Sequence, residues 1–286
     1  MKKKKCICLG SFDGLHKGHQ KVLENGKSGG YETTLITFDI HPAEFFTNRT
    51  RFKLLQNEIT DEKLAEKNIG IARLEMKEIC ELSPEEFFEK ILLERFSPDK
   101  ISCGYNYTFG TDKKGETDLL EELCEKHGIA LSVAAPVKYD GEVISSTRIR
   151  KKIADGDVKS ASELLGYNFC YRAEVIHGDK RGSTTLNTPT ANQIYPEELI
   201  VPKFGVYKSG VVVDGKKYRG ITNIGLRPTI GTNKFLSETH IIDFSEDIYG
   251  KKIEISLEDF IRPERQFSSL DELKKQIKND ISTAIK

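Results

Sequence analysis

KCICLGSFDGLHKGHQ, residues 5–20, runs from an apolar segment into a glycine-rich turn that carries two histidines. The alternation predicts a buried strand over residues 5–9 and a helix that begins near the histidines. Gly10, Gly14 and Gly18 allow the backbone to approach an anion, and a helix N-terminus offers unpaired N–H groups. The stretch therefore predicts a phosphate-binding turn between a strand and a helix.

The two histidines of this turn, His16 and His19, are three residues apart and so share one face of the first helical turn. Imidazoles in that position can donate hydrogen bonds to a phosphate whose negative charge grows in a transition state. A glycine-rich loop alone is weak evidence. The alternative is an exposed loop whose histidines have no chemical role.

Composition limits the classes of protein. The chain has 286 residues, which suggests two domains at about 150 residues each. Its 37% apolar and 31% charged residues with zero net charge give no reason to expect a nucleic-acid or membrane partner. The six cysteines show neither a disulfide framework nor zinc-finger spacing, so we expect reduced thiols and a cytoplasmic protein.

The first half of the chain alternates strands with helices. Ser83-Pro84-Glu85-Glu86 has the form of a capping box with proline in the first turn, and an apolar face follows it. A second helix is predicted from Asp118 to the closing Gly128. This rhythm predicts a parallel sheet with helices on both faces. The further predicted strands cover residues 34–38, 101–103 and 130–133.

The second half is rich in strands. Asp214-Gly215 between two β-rich runs is a strong hairpin signal, and a helix returns only over residues 269–285. This pattern predicts a small antiparallel barrel with a C-terminal helix. We place the domain boundary between residues 166 and 167, giving domains 1–166 and 167–286, with residues 147–165 helical. The predicted strands cover residues 171–176, 206–213, 217–224, 239–244 and 252–257.

Two motifs carry a family resemblance. HKGH at residues 16–19 resembles the His-x-Gly-His signature of nucleotidyltransferases, and ISSTRIR at residues 144–150 resembles their second motif. The chain is more closely similar to bifunctional riboflavin kinase/FAD synthetases. TFDIHP and GYNYTFG resemble the adenylyltransferase module, whereas HGDKRG, TPTAN, NIGLRPTIG, DIYG and FIRPERQFSSLDELKKQI resemble the kinase module.

The resemblance implies a Rossmann-like nucleotidyltransferase domain followed by a riboflavin kinase barrel. It also implies two reactions, phosphorylation of riboflavin to FMN by ATP and adenylylation of FMN to FAD with release of pyrophosphate. Mg²⁺ is the implied cofactor, and ATP and the flavins are the implied substrates and products. We expect small-molecule partners only, no nucleic acid or membrane, and a monomer or weak homo-oligomer.

The resemblance assigns roles in the kinase step. Glu238 matches the catalytic base, although an exposed strand glutamate is the alternative. Thr190 and Asn192 match residues that contact ATP and Mg²⁺, with a plain proline-containing turn as the alternative. We expect His240 to be structural and to point away from Glu238. The remaining implied nucleotide- or flavin-binding residues are Gly178, Lys180, Gly182 and Arg262.

The resemblance also assigns roles in adenylyl transfer. The attacking FMN phosphate is already an anion, so alignment and charge neutralisation suffice without a general base. His16 and His19 are implied to stabilise the α-phosphate. His41, in the TFDIHP motif, is a further candidate, and the alternative is that it only packs or caps a turn. The other implied binding residues are Gly10, Ser11, Phe12, Asp13, Gly14 and Asn106, with Ser146, Thr147 and Arg150 for the β- and γ-phosphates.

One departure keeps alternatives open. Asn187-Thr188 stand before PTAN, where the family commonly has Gly-Phe. One alternative is that only one module is active. Others are a flavin-binding protein without catalysis and a nucleotidyltransferase of different specificity. The intact HKGH and SSTRIR motifs and Glu238 argue against a mere binder, and the barrel-like second half argues against another specificity.

Overall fold

The KCICL run forms β1 (Lys5–Leu9), the central strand of a five-stranded sheet in the computed structural model. The structure describes residues 3–50, 52–177, 190–229 and 232–285. The chain divides into one unit of residues 1–51 and 57–146 and a second unit of residues 52–56 and 147–286. The boundary at residues 166 and 167 stays a prediction.

The sheet of the first unit is parallel throughout, as predicted, and has the strand order β3-β2-β1-β4-β5. The edge strand β3 was not expected from the sequence. The four strands that join β1 are β2 (Glu32–Phe38), β3 (Ile69–Leu74), β4 (Lys100–Gly104) and β5 (Ala130–Ala134).

Alternate residues of β1 face opposite layers of the unit. Ile7 belongs to a large buried apolar cluster, whereas Cys8 faces α1 (Lys17–Lys27). A Cβ atom added to Gly26 of that helix would lie only 2.5 Å from the Cys8 sulfur. The helix therefore lies directly against the strand, which fixes the position of the turn that connects them.

The helix signals of the first unit are confirmed. Ser83 and Glu86 form the predicted capping box at the start of α5 (Pro84–Glu86). This helix continues as a π-helix over Phe87–Phe96, where the N–H of Ser97 donates to the Leu92 carbonyl oxygen at 3.1 Å. The other helices are α2 (Pro42–Thr47), α3 (Asn57–Glu66), α4 (Met76–Ile79) and α6 (Thr117–His127), and a hairpin joins β6 (Lys138–Tyr139) to β7 (Glu142–Val143).

The second unit contains a closed six-stranded antiparallel barrel with the strand order β10-β11-β12-β9-β8-β13. The Asp214-Gly215 hairpin is confirmed, with φ of 49° and 78° at these two residues. Two details differ from the sequence analysis: no strand was expected over Thr190–Ile194, and the strand expected over 239–244 begins and ends earlier. The bounds are β8 (Cys170–Ile176), β9 (Thr190–Ile194), β10 (Gly205–Val213), β11 (Lys216–Thr229), β12 (Thr232–Ile241) and β13 (Lys252–Arg262).

Hydroxyl groups fill part of the barrel interior. The Thr222 hydroxyl hydrogen-bonds to those of Ser209 and Thr239 at 2.8 and 2.9 Å, and Tyr171 hydrogen-bonds to Ser237. Ser237 and Thr239 therefore point inward. Because side chains alternate along a strand, Glu238 between them points to the outer face of the barrel.

Helices precede and follow the barrel in the chain. The predicted helical segment before it forms α7 (Ser146–Ala154) and α8 (Val158–Leu165). The predicted C-terminal helix is α9 (Leu270–Ile285), whose Glu272 N–H donates to the Ser269 hydroxyl at 3.2 Å. In the part of the chain that the structure describes, no helix has the length and apolarity needed to cross a membrane.

Candidate active sites

The turn after β1 has a strained backbone. Phe12 and Leu15 have φ of 49° and 39°, a region that bulky residues seldom adopt, and Gly14 between them has φ of 79°. A hydrogen bond of 3.1 Å from the Leu15 N–H to the Phe12 carbonyl closes the turn. Phe12 lies over Gly10, where an added Cβ would be 3.2 Å from its ring. Such strain persists where surrounding contacts impose it, which is common at functional sites.

The two histidines lie together at the start of α1. Their rings stack with centroids 3.6 Å apart and planes inclined by 16°. The His19 N–H donates to His16 Nδ1 at 3.3 Å, so His16 is the N-cap of the helix. With Nδ1 acting as an acceptor, the proton of a neutral His16 ring resides on Nε2. The helix start thus fixes the tautomer of one imidazole.

His19 is held in its neutral form. Burial, and then the neighbouring His16, keep the pKa of His19 well below its usual range. Its Nδ1 is inaccessible and has no hydrogen-bond partner among the described residues. A buried polar atom without a partner costs free energy, and this cost can be retained at a functional site.

Gly18 is required by the position of His16. A Cβ added to Gly18 would lie 3.1 Å from His16 Cε1 and Nδ1. The ring cannot move away easily because it stacks on His19. This contact gives a physical reason for glycine between the two histidines, which the sequence analysis had attributed only to backbone freedom.

The structure places several other predicted residues at the same edge of the sheet. The Ser146 hydroxyl donates to the Asp13 carbonyl oxygen at 3.1 Å, and the Thr37 hydroxyl donates to that of Ser11 at 2.9 Å. Asn106 is exposed two residues after β4, the parallel neighbour of β1. Carboxyl ends of adjacent parallel strands meet at one edge, and ligands of open α/β sheets bind where the strand order reverses, as it does here.

Of the remaining predicted residues, two belong to the second unit and one caps a helix. Thr147 and Arg150 belong to the second unit, where Arg150 Nε donates to the Phe52 carbonyl oxygen at 2.8 Å. His41 is the N-cap of α2, since its Nδ1 accepts from the Ala43 N–H at 3.1 Å. Capping is one of the two structural roles considered for His41.

A pocket of about 210 Å³ lies on the outer face of the barrel of the second unit. The strands contribute Thr190, Glu238 and Arg262 from the predicted set. Glu238 is directly opposite Asn192 on one neighbouring strand and Asn223 on the other. The structure thus brings four predicted residues together: Thr190, Asn192, Glu238 and Arg262. Gly178, Lys180 and Gly182 lie outside the described residues.

The prediction for His240 was wrong. His240 is two residues after Glu238 in β12, so both side chains lie on the same face of the strand. It is opposite Thr190 and Ile221, and all four residues line the pocket. Side chains two residues apart in a strand lie on the same face, so the sequence alone was sufficient to place His240 beside Glu238.

The segment after β13 forms another wall of the pocket. Glu264 accepts a hydrogen bond of 3.1 Å from Asn223 Nδ2 and lies against Gly225, where a Cβ atom would overlap its carboxylate. The guanidinium of Arg265 lies 4.6 Å from the ring centre of Phe267. This stretch resembles a family motif in the sequence, but only Arg262 of it was predicted to bind a ligand.

The C-terminal helix completes the pocket. Leu273 and Ile277 supply apolar surface, and Asp280 forms a salt bridge of 2.8 Å with Arg262. Apolar side chains of β10 and β11, Val206 and Ile221, lie among the other lining residues. The pocket therefore combines an apolar wall with a carboxylate, hydroxyl and guanidinium groups, which suits an aromatic molecule with a polar tail.

The oxygen donors of β9 fit a Mg²⁺ ion that has few protein ligands. Thr190 and Asn192 lie on one face of the strand, and Asn192 Nδ2 donates to the Thr190 carbonyl oxygen at 3.2 Å. That bond orients the amide and leaves its Oδ1 as an acceptor. No group of three or more His, Cys, Asp or Glu side chains suited to a metal occurs among the described residues. A hydroxyl and an amide oxygen together with substrate phosphates match the preference of Mg²⁺.

The first unit has a parallel sheet with a histidine pair at a strand end, and the second has a barrel with an external pocket that contains carboxylates. These features define a chain of two units suited to phosphate transfer. A FAD synthetase family model matches residues 1–148, and a riboflavin kinase family model matches residues 165–286. The chain belongs to the family of bifunctional riboflavin kinase/FMN adenylyltransferases.

Curated relatives are similar along almost the whole chain. A bifunctional riboflavin kinase/FMN adenylyltransferase of Listeria monocytogenes is 35% identical, covering 96% of this chain and 90% of the relative. Another, from Pseudomonas fluorescens, is 33% identical, covering 98% and 92%. A crystal structure described as a macrolide-efflux protein from Streptococcus pneumoniae has the same fold, with a TM-score of 0.89, 29% identity and coverage of 99% and 94%.

Proposed function

We propose that this chain makes FAD from riboflavin in two steps that both consume ATP. The second unit transfers the γ-phosphoryl group of ATP to the ribityl 5′-hydroxyl of riboflavin, giving FMN and ADP. The first unit then transfers AMP from another ATP to the FMN phosphate, giving FAD and pyrophosphate. Membership of the bifunctional family supports both activities. The particular residue roles rest on the geometry of the two sites.

The observation that carries the kinase step is the position of Glu238 in the external pocket. A hydroxyl must lose its proton as it attacks phosphorus, and a carboxylate within hydrogen-bonding reach accepts that proton. Glu238 has Asn192 and Asn223 directly opposite on the neighbouring strands and Thr190 in the same pocket. We assign Glu238 as the general base and the apolar wall of Leu273 and Ile277 as the surface for the flavin ring.

Thr190 and Asn192 are assigned to ATP and Mg²⁺. When bound, Mg²⁺ neutralises charge on the transferring phosphates. The hydrogen bond from Asn192 Nδ2 to the Thr190 carbonyl oxygen, at 3.2 Å, leaves the amide oxygen of Asn192 as an acceptor. The Thr190 hydroxyl and the Asn192 amide oxygen are the two oxygen ligands assigned to Mg²⁺.

The adenylyl step depends on His16 and His19. Attack by an FMN phosphate on the α-phosphorus of ATP places additional charge on the equatorial oxygens, and positioned N–H donors stabilise it. His16 has the fixed tautomer of a donor at Nε2–H, and the neutral ring of His19 stacks on it. Gly10, Phe12, Asp13 and Gly14 with Asn106 and Ser146 are assigned to the nucleotide.

We also propose a cytoplasmic location and a monomer or weak homo-oligomer. The six cysteines are free thiols, which is usual in a reducing compartment. Thr147 and Arg150 remain assigned to the β- and γ-phosphates on the strength of the ISSTRIR motif.

The test is a time course of purified protein with ATP and MgCl₂, resolved by chromatography. One reaction contains riboflavin and the other FMN. FMN that appears first and FAD that follows support both activities and their order. FAD from added FMN without any conversion of riboflavin shows that only the first unit is active and overturns the kinase assignment. Bound flavin without product in either reaction supports the flavin-binding alternative.

The same reactions test the metal. Replacing MgCl₂ with EDTA should stop both conversions, and titrating Mg²⁺ back should restore them. Thr190→Val and Asn192→Leu should raise the Mg²⁺ concentration needed for half-maximal kinase activity while FMN adenylylation remains at its original level. Equal Mg²⁺ dependence of the variants and the unaltered chain would refute the assignment of these two residues.

A further inference from the structure

Asp280 in the C-terminal helix holds the guanidinium of Arg262. Arg262 Nε lies 3.2 and 3.1 Å from the two carboxylate oxygens, and a terminal nitrogen donates to Oδ2 at 2.8 Å. Another terminal nitrogen donates to the Pro263 carbonyl oxygen at 3.2 Å. Paired contacts of this kind fix the plane of a guanidinium as well as its position.

The carboxylate of Asp280 is itself fixed. Only 3% of Asp280 is exposed, and Gln276 one helical turn earlier donates to Oδ1 at 2.7 Å. The helix packs on the barrel through Ala284, which contacts the buried cluster of Val206 and Ile221. The helix therefore carries a positioned carboxylate to the pocket.

The pairing with Asp280 leaves part of the Arg262 guanidinium available to donate hydrogen bonds to a ligand. A guanidinium has five N–H groups. Three nitrogens of Arg262 already donate to Asp280 or Pro263, so two N–H groups remain in the described structure. Its positive charge is offset by Asp280, and carboxylates outnumber guanidiniums in the pocket: Glu238, Glu264 and Asp280 against Arg262 and Arg265.

We propose that Asp280 is a positioning residue that acts through Arg262 and makes the pocket selective for a neutral acceptor over its phosphorylated product. It directs two N–H groups of Arg262 at polar atoms of the acceptor while cancelling the charge that would attract a phosphate. This inference rests on the proposed kinase function. It predicts that riboflavin binds in preference to FMN because the pocket presents directed donors without net positive charge.

The decisive variant is Asp280→Asn, which keeps the shape of the side chain and removes its charge. The KM for riboflavin should rise about tenfold with kcat changed less than about twofold, because a ground-state contact is loosened. Inhibition by FMN should become stronger relative to riboflavin binding, so the ratio of the FMN inhibition constant to the riboflavin KM should fall about tenfold or more. A purely structural role would weaken both ligands together.

The chain offers a matched control. Glu254 and Arg172 form a partly buried ion pair of 2.9 Å on the same barrel, and neither residue lines the pocket. Glu254→Gln should leave the riboflavin KM and the FMN ratio unchanged. Asp280→Glu should restore part of the selectivity. FMN adenylylation by the first unit should proceed at the same rate in every variant.

A second variant allows the inference to be tested if the Asp280→Asn protein does not fold. Gln276→Ala removes the bond that supports Asp280 from a partly exposed helix position. It should shift KM and the FMN ratio in the same direction by about two- to threefold. Folded Asp280→Asn and Gln276→Ala proteins with an unchanged FMN ratio, or an equal change in Glu254→Gln, would overturn the inference. A chain that never phosphorylates riboflavin would instead refute the proposed kinase function.

Discussion

The rings of His16 and His19 stack 3.6 Å apart, and the N–H of His19 donates to Nδ1 of His16. The two imidazoles thus form one rigid group at a helix start. A Cβ atom added to Gly18 would lie 3.1 Å from the His16 ring of this group. Two of the predictions below concern this group and two concern the barrel.

Gly18→Ala should slow adenylyl transfer with little net change in the stability of the first unit. Alanine favours a helix over glycine by about 1 kcal/mol, but its methyl group would press on the His16 ring and offset that gain. We expect unfolding at a similar urea concentration and a fall in FAD formation of about tenfold or more. Lys21→Ala, at an exposed position of the same helix, is the control. An active Gly18→Ala protein would show that the ring position is unimportant.

His19 should make stability pH-dependent. Its pKa is depressed in the folded state, so below about pH 6.5 the unfolded chain binds a proton that the folded chain does not. Stability should therefore fall as the pH is lowered, by up to about 1.0 kcal/mol between pH 6.5 and 5.5 from this residue. Urea unfolding at both pH values should show a smaller loss for His19→Gln. An identical loss in both proteins would contradict the depressed pKa.

Glu238→Gln should remove the kinase activity alone. Without a base, phosphorylation of riboflavin should slow by about 10²- to 10⁴-fold, whereas FMN adenylylation continues. Glu174→Gln, an exposed glutamate on β8 of the same barrel, is the matched control and should retain both activities. Rates measured with riboflavin and with FMN separate the two steps. A Glu238→Gln chain with ordinary kinase activity would rule out the assigned base.

Gly205→Ala should destabilise the second unit more than Gly215→Ala. Both glycines have positive φ, 149° and 78°. A Cβ at Gly205 would overlap the Arg262 carbonyl oxygen, whereas Gly215 faces open space. We expect a loss of about 3 kcal/mol or more for Gly205→Ala and about 1 kcal/mol for Gly215→Ala. Urea unfolding monitored on the second unit would measure both, and equal losses would argue against the close approach.

Local signals in the sequence predicted much of the fold. The capping box at Ser83 and the Asp214-Gly215 hairpin depend on neighbouring residues only, and both are confirmed. The missed strands β3 and β9 are different. Ile69–Leu74 pairs with a strand more than 30 residues away, and Thr190–Ile194 pairs with β12, more than 40 residues away. Their pairing is set by tertiary contacts.

Motifs in the sequence predicted many residues of the candidate sites. The long-range contacts that complete the barrel pocket were not predicted. Asp280 meets Arg262 across 18 residues, and Glu264 meets Asn223 across 41. Such contacts follow from how the C-terminal helix packs on the barrel. The left-handed backbone of Phe12 was equally unpredictable, because local preference disfavours it for a bulky side chain.

The alternation of β12 assigns neighbouring residues to separate tasks. Ser237 and Thr239 hydrogen-bond inside the barrel, whereas Glu238 and His240 face the pocket. Substitutions at even-numbered positions can therefore change chemistry without disturbing the interior, and those at odd-numbered positions act on folding first. Selection can therefore change substrate preference and thermal tolerance along one strand almost independently. This strand is a practical starting point for engineering variants that phosphorylate other acceptors.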